Sequence, residues 1–293
     1  NIATGFDILG HTISGPVDRV TVTRRDGGDV RLFAVRGLLS DLPAEPERNT
    51  ALRALTALRA ARGLSFGFDV EIDKGIPLGS GMGGSAASAV AALVAANALL
   101  DEPADLQTLY LCAMEGEAAA SGGRHGDNVG PMLTGGVALA TKDRVTRLPV
   151  PGGLACVLVH PHFVLETRIA RAALKAPYEL SEFVAQSAGL AELLQGLHSG
   201  DAAALRAGLR DGLVEPRRAH LIPGFTSVKQ AALDAGALGA SISGGGPSVF
   251  AWFTDSGRAA EAGGAMRAAF GAAGLGADVF VSPVDGPRAR VIS

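Results

Sequence analysis

Four glycines stand within six consecutive residues, Gly79-Ser80-Gly81-Met82-Gly83-Gly84, preceded by Pro77-Leu78 and followed at once by an Ala-rich apolar run that begins Ser85-Ala86-Ala87-Ser88. Glycine adopts positive φ without a Cβ penalty and lets backbone approach a ligand closely. If Ser85 lies at the opening of a helix, the unpaired N–H groups of its first turn and its positive dipole end face the loop. Loop and helix start together make an anion site, and phosphate is the usual guest. The competing reading is a turn ahead of a core helix. Two familiar phosphate motifs fail here. Gly79-x-Gly81-x-x-Gly84 fits the dinucleotide pattern literally, but Asp101, the acid at about the right distance, follows a helix rather than ending a second strand. A Walker A loop needs Lys after Gly84, where Ser85 stands.

The surrounding pattern supplies elements to hold such a loop. Alternation through Val20, Val22, Val30, Leu32 and Ala34 around Asp26-Gly27-Gly28 predicts a hairpin over residues 17–35. Asn49 caps a helix whose apolar face is Ala51, Leu52, Leu55, Leu58 and Ala61. A strand over 66–72 leads into the glycine loop and its helix. A helix covers 106–119, and a Gly-rich loop carrying Asp127 and Asn128 leads to a strand at 136–140. The pattern restarts at Pro149-Val150-Pro151-Gly152-Gly153, which sets the expected domain boundary: residues 1–150 bind the nucleotide and 151–293 form the second domain. The second half alternates a strand at 154–159, helices near 168–175, 181–198, 201–213 and 225–235, strands at 240–243 and 249–253, a helix at 257–273 and a strand at 278–281. That order suits a ferredoxin-like domain.

The chain has 293 residues, 47% of them hydrophobic, only 5% aromatic, with a formal net charge of −3. Such a length suits two modest cores sharing a cleft, and such a composition an α/β or α+β enzyme. Without a basic footprint, nucleic acid is not an expected partner. The run from Gly75 to Leu100 is broken by glycines and Pro77, so no membrane span, leader or transit segment is expected and the chain reads as cytoplasmic. Cys112 and Cys156 are expected as buried free thiols. His160, His162 and His198 show no metal-ligand spacing.

Pro77-Leu78-Gly79-Ser80-Gly81-Met82-Gly83-Gly84-Ser85-Ala86-Ala87 resembles the second motif of the GHMP kinases, and Ile242-Ser243-Gly244-Gly245-Gly246-Pro247-Ser248 resembles their third. Gly84 departs from the pattern, since many members carry a second Ser there; the backbone donors are unchanged. Within the superfamily the homoserine kinase family is most similar, through Asn1 to Gly10, Gly116 to Gly136 and Glu215 to Phe225. The resemblance implies an α+β fold of two domains, the first like domain 2 of ribosomal protein S5 and the second ferredoxin-like, with a strand ahead of Asn1 that this sequence does not contain. It implies ATP and Mg2+, transfer of the γ-phosphate to L-homoserine, a place in threonine biosynthesis, and a homodimer.

The resemblance also assigns residues. The ATP phosphates fall to Pro77, Gly79, Ser80, Gly81, Met82, Gly83, Gly84, Ser85, Ala86, Ser88 and Gly245, and the nucleoside to Asn49 and Lys74. The last two have structural readings as well, a helix cap and a solvated lysine. Ser85 and Glu117 match the magnesium ligands. Glu115 competes locally, but an i, i+2 pair cannot share a helix face, and the family spacing to Asn128 favours Glu117. Arg171 and Arg218 match arginines that bind the substrate carboxylate, with Arg168 and Arg217 near enough to leave the choice open. Asp7 and Asp127 suit the ammonium group, Asn1 and Asn128 the hydroxyl, although Asp127-Asn128 could be a simple turn pair. No general base emerges, so Asn128 is expected to orient the hydroxyl in a catalytic set of Asn128, Glu117 and Ser85. His125 reads equally well as a contributor or as a polar loop residue. A kinase for another alcohol, a sugar or mevalonate type, and a non-catalytic sensor are the alternatives.

Overall fold

The computed structural model describes residues 1–121, 123–175 and 177–292. Gly122, inside the Gly116 to Gly136 segment, lies outside the described residues. In the first half, strands β1 (Leu9–His11), β2 (Arg19–Arg25) and β3 (Val30–Gly37) precede helix α1 (Thr50–Arg62). Strand β4 (Gly67–Lys74) then leads to α2 (Gly84–Asn97), α3 (Leu106–Ser121), α4 (Gly126–Thr134), β5 (Val137–Ala140) and β6 (Val145–Arg147). The second half holds β7 (Ala155–Pro161), α5 (Thr167–Ala172), α6 (Leu180–Ser199), α7 (Ala202–Gly208), α8 (Glu215–Arg218) and α9 (Phe225–Asp234). It ends with β8 (Gly239–Ile242), β9 (Val249–Phe253), α10 (Ser256–Ala272) and β10 (Ala277–Pro283).

The expected hairpin does not form. Strand β4 lies between β2 and β3, antiparallel to the first and parallel to the second. Phe68, Val70 and Ile72 of β4 point into the core, whereas β2 buries only Val22 and β3 only Val30. The central place goes to the strand with most apolar surface to hide, a choice local alternation cannot reveal. Helix α1 begins as expected, the Asn49 side chain accepting from the N–H groups of Ala51 and Leu52.

Asp127 and Asn128 were expected in a loop, yet they occupy the first turn of α4. Its glycines serve contact rather than mobility. A Cβ on Gly126 would lie 2.0 Å from Tyr110 Oη, and one on Gly130 would lie 3.0 Å from Val145. Such close approach cannot be read from a Gly-rich composition, which ordinarily marks a loop.

The second sheet runs β10-β7-β9-β8 with every neighbouring pair antiparallel. With helices after β7 and β9, this is the β-α-β-β-α-β arrangement expected from the alternation. Three apolar clusters hold the molecule. One joins α1, α2 and α3 to β4, and a second packs α9 and α10 on the second sheet. A third gathers Ile2, Leu9 and Val137 with Cys156, Leu193, Trp252 and Val284, so residues from both halves share it. Cys112 and Cys156 are buried free thiols. No helix among the described residues is long and apolar enough to cross a membrane.

Candidate active site

The glycine loop leaves β4 and closes on α2. Gly81 has φ +77°, and a Cβ there would sit 2.3 Å from the Ser243 carbonyl oxygen, so both its conformation and its surroundings require glycine. Gly83, at φ +73°, is the residue before α2, and a Cβ there would lie 2.9 Å from Asn128 Oδ1. A Cβ at Gly84, where the family pattern has Ser, would meet Ile76 at 3.2 Å.

The third motif clamps this loop. Ser248 donates from Oγ to the Ser80 carbonyl at 2.5 Å and from its N–H to the same oxygen at 3.3 Å. Ser243 Oγ donates to the Gly81 carbonyl at 2.9 Å. Loop carbonyls that would repel an anion are thereby occupied by donors from the second half. On the other flank, the buried Lys74 ammonium pairs with Asp18 and donates to the Gly84 carbonyl at 2.9 Å and to Ser88 Oγ at 3.0 Å. Asp18 also accepts from the N–H groups of Gly75 and Ile76 at 3.0 and 3.1 Å. Lys74 and Ser88, both expected at ATP, are thus internal struts of the loop, and the Asn49 side chain is engaged with α1 and the Pro43 carbonyl.

A polar cleft opens where the loop meets both halves. Pro77, Gly79, Ser80, Gly81, Gly83, Gly84, Ser85, Ala86 and Gly245 line it together with Asn1, Asp7, Glu117, Asp127, Asn128, Arg171 and Arg218. Asn49, Lys74, Met82 and Ser88 do not. Met82 faces a larger cavity across the loop, but its wall is mostly apolar, with Ile13, Ile76, Val90, Met132, Leu158 and Phe250, and offers little to hold phosphate. The polar cleft is therefore the candidate site.

In each of three competing pairs, geometry brings one member to the cleft. Glu117 lines the cleft, whereas Glu115 pairs with Arg53 and Arg124 on another side of α3. Burial, reinforced by the Asp127 charge and opposed by Arg171, pushes the Glu117 carboxyl from 4.5 up to about 8. Arg168 is exposed beside Glu166, while Arg171 lines the cleft and grips Asp7 through two 3.1 Å bonds. Arg217 turns away to Glu182 at 2.8 Å and stacks 4.6 Å from the Tyr178 ring centre. Arg218 is 2% exposed, donates to the carbonyls of Ala170 at 2.9 Å and Gly244 at 3.2 Å, and lies 4.9 Å from the Phe6 ring centre. Burial and the neighbouring Arg171 lower its pKa.

Asp7 is held at φ +61°, a strained value for a non-glycine residue, with His125 Nδ1 3.4 Å from its carboxylate. Asn128 Nδ2 donates to Asp127 Oδ1 at 3.4 Å. Phe6, Thr167 and Gly244 also line the cleft and were not singled out. Each adjoins a residue that was: Phe6 and Gly244 lie within the recognised motifs, whereas Thr167 had only the neighbouring Arg168 as a signal. Among the described residues no three His, Cys, Asp or Glu side chains cluster as a metal cage.

Sequence comparison assigns both halves of the chain to a family. The description of the GHMP kinases N terminal domain matches residues 49–136, and that of the GHMP kinases C terminal matches residues 193–272. The chain belongs to the GHMP kinases. Among members of that family, the homoserine kinase of Xanthomonas campestris pv. campestris (strain B100) is 58% identical over 293 residues, covering 100% of this chain and 91% of that protein. The homoserine kinase of Xylella fastidiosa (strain 9a5c) is 55% identical over 292 residues, with 100% and 91% covered. The crystal structure of homoserine kinase from Cytophaga hutchinsonii ATCC 33406 superposes with a TM-score of 0.92 at 42% identity, covering 98% of this chain and 92% of that one. The GHMP kinase fold expected from the motifs is borne out.

Proposed function

We propose that this GHMP kinase transfers the γ-phosphate of ATP to the hydroxyl of L-homoserine, giving O-phospho-L-homoserine and ADP. One observation carries the reading: besides Glu117, the glycine loop shares its cleft with the carboxylates of Asp7 and Asp127 and with two arginines, Arg171 and Arg218. Phosphate alone would need no such set. An amino acid brings a carboxylate for guanidinium groups and an ammonium for carboxylates, whereas a sugar brings neither. The identity to homoserine kinases over the full chain supports the same acceptor.

In this reading, backbone N–H groups of the loop and the first turn of α2 hold the phosphates. Arg171 and Arg218 hold the acceptor carboxylate, Asp7 and Asp127 its ammonium, and Asn1 and Asn128 its hydroxyl. The hydroxyl oxygen forms the new bond to the γ-phosphorus as the bond to the bridging oxygen of ADP breaks. Its proton passes late to a transferred phosphoryl oxygen, as suits a loose transition state without a strong base. Ser85 and Glu117 fit magnesium, which takes one or two hard protein oxygens and otherwise phosphate and water. The raised Glu117 carboxyl marks a place where a divalent cation would favour the ionised form. When bound, the ion neutralises phosphate charge. A homodimer is part of the proposal, tested by sedimentation velocity; a monomer at all concentrations would remove it.

The test is ADP release with L-homoserine against L-serine, mevalonate and galactose. L-homoserine should give the highest kcat/KM, and faster turnover of another alcohol would overturn the acceptor. Asn128→Ala should lower kcat on the order of a hundredfold while changing the ATP KM little; an unchanged kcat would remove Asn128 from the reaction.

A further inference from the structure

We propose that His160 is a positioning residue for the phosphate loop, acting through Ser248 on the Ser80 carbonyl. The inference rests on the reading of the glycine loop as the ATP phosphate site.

His160 lies on β7 in the second half of the chain, 6% exposed, and its Nδ1 is 3.1 Å from Ser248 Oγ. Ser248 is fully buried, and the same Oγ is 2.5 Å from the Ser80 carbonyl oxygen. A hydroxyl has one proton and a carbonyl can only accept. The short contact to Ser80 therefore takes the Ser248 proton, and Oγ can meet His160 only as an acceptor. Nδ1 then carries the imidazole proton. Burial lowers the pKa of this histidine and favours the neutral ring, one nitrogen of which is always a donor.

The consequence reaches the loop through one hydroxyl. A buried serine without a second partner rotates among staggered positions; with Nδ1–H fixed on its oxygen, its proton is directed at Ser80. The peptide that joins Ser80 to Gly81 is planar, so tying its carbonyl to the second half directs the Gly81 N–H the opposite way. Gly81 lines the cleft. The neighbouring clamp, Ser243 on the Gly81 carbonyl, has a serine with no histidine behind it among the described residues; the Ser80 clamp has one, and both come from the half that also carries Arg171 and Arg218.

The experiment compares three replacements of His160 in the full chain, with separate KM values for ATP and L-homoserine. Asparagine places an amide N–H where Nδ1 stands, glutamine places it one bond farther, and leucine supplies none. His160→Leu and His160→Gln should raise the ATP KM roughly fivefold, the equivalent of one ordinary hydrogen bond, leaving the L-homoserine KM unchanged. His160→Asn should stay near the parent. Ser248→Ala should raise the ATP KM alike, and adding His160→Gln to it should raise it no further. Equal behaviour of the Asn and Gln variants, a matching rise in both KM values, or additivity with Ser248→Ala would overturn the proposal. If His160→Leu does not fold, the Asn and Gln pair decides. Gly81→Ala separates the two readings: if it raises the ATP KM while His160→Gln does not, only the role of His160 falls; if neither does, the loop reading falls first.

Discussion

Glu117 and Arg218 show how burial shapes this cleft one residue at a time. The Glu117 carboxyl is raised from 4.5 to about 8, first by burial and then by Asp127. Between those values the folded protein keeps a proton that the unfolded chain has released, so stability falls as pH rises through the interval. Glu117→Gln removes the titration. Without nucleotide or magnesium, its Tm should exceed that of the parent increasingly from pH 5 to pH 8, and a gap constant with pH would contradict the assignment. Arg218 spends two donors on Ala170 and Gly244 while facing the cleft. Lysine cannot hold both carbonyls and still present a planar fork to a carboxylate. Arg218→Lys should raise the L-homoserine KM on the order of tenfold or more, with the ATP KM little changed, in initial-rate assays.

At the scale of elements, the deciding piece is α4, which sets Asp127 and Asn128 beside the glycine loop. Its position depends on Gly126 lying against Tyr110, whose hydroxyl donates to the Thr141 carbonyl at 2.6 Å. Gly126→Ala should shift α4, cost roughly 1–3 kcal/mol in urea unfolding through overpacking, and lower kcat. Tyr110→Phe removes the nearest of the atoms that the new methyl would strike, leaving Ala140 Cβ at 2.8 Å, so the double variant should recover part of that loss; strictly additive losses would show that the Tyr110 contact does not position α4. The residues of this segment were legible through the Gly-Asp-Asn-Val-Gly-Pro motif. The helix was not, because close packing and chain freedom both call for glycine.

Across the whole molecule, the loop belongs to the first half while its clamps, Ser243 and Ser248, and its arginines belong to the second. The shared cluster of Leu9, Val137, Leu193 and Trp252 holds the halves in register. ATP with magnesium should therefore raise the Tm of the entire chain in one transition, by mass action on the folded state, and chelation by EDTA should remove most of the shift; a shift indifferent to EDTA would exclude a metal at Ser85 and Glu117. By itself the sequence determined the family, the glycine loop and the order of most elements, since periodicity, capping and motif spacing are local properties; it left out β1, β6, α4 and α8. It also carried Asn1, Asp7 and Arg218 in recognisable segments. Only the tertiary structure decided that β4 separates β2 from β3, that Arg171 and Arg218 rather than Arg168 and Arg217 reach the cleft, and that Lys74 and Ser88 brace the loop from within. These outcomes depend on which apolar faces win the core and where each buried charge finds its partner, and both are settled by residues far apart in the chain. The loop that first suggested phosphate is locally encoded, but the carbonyls it turns away are held by serines about 160 residues later.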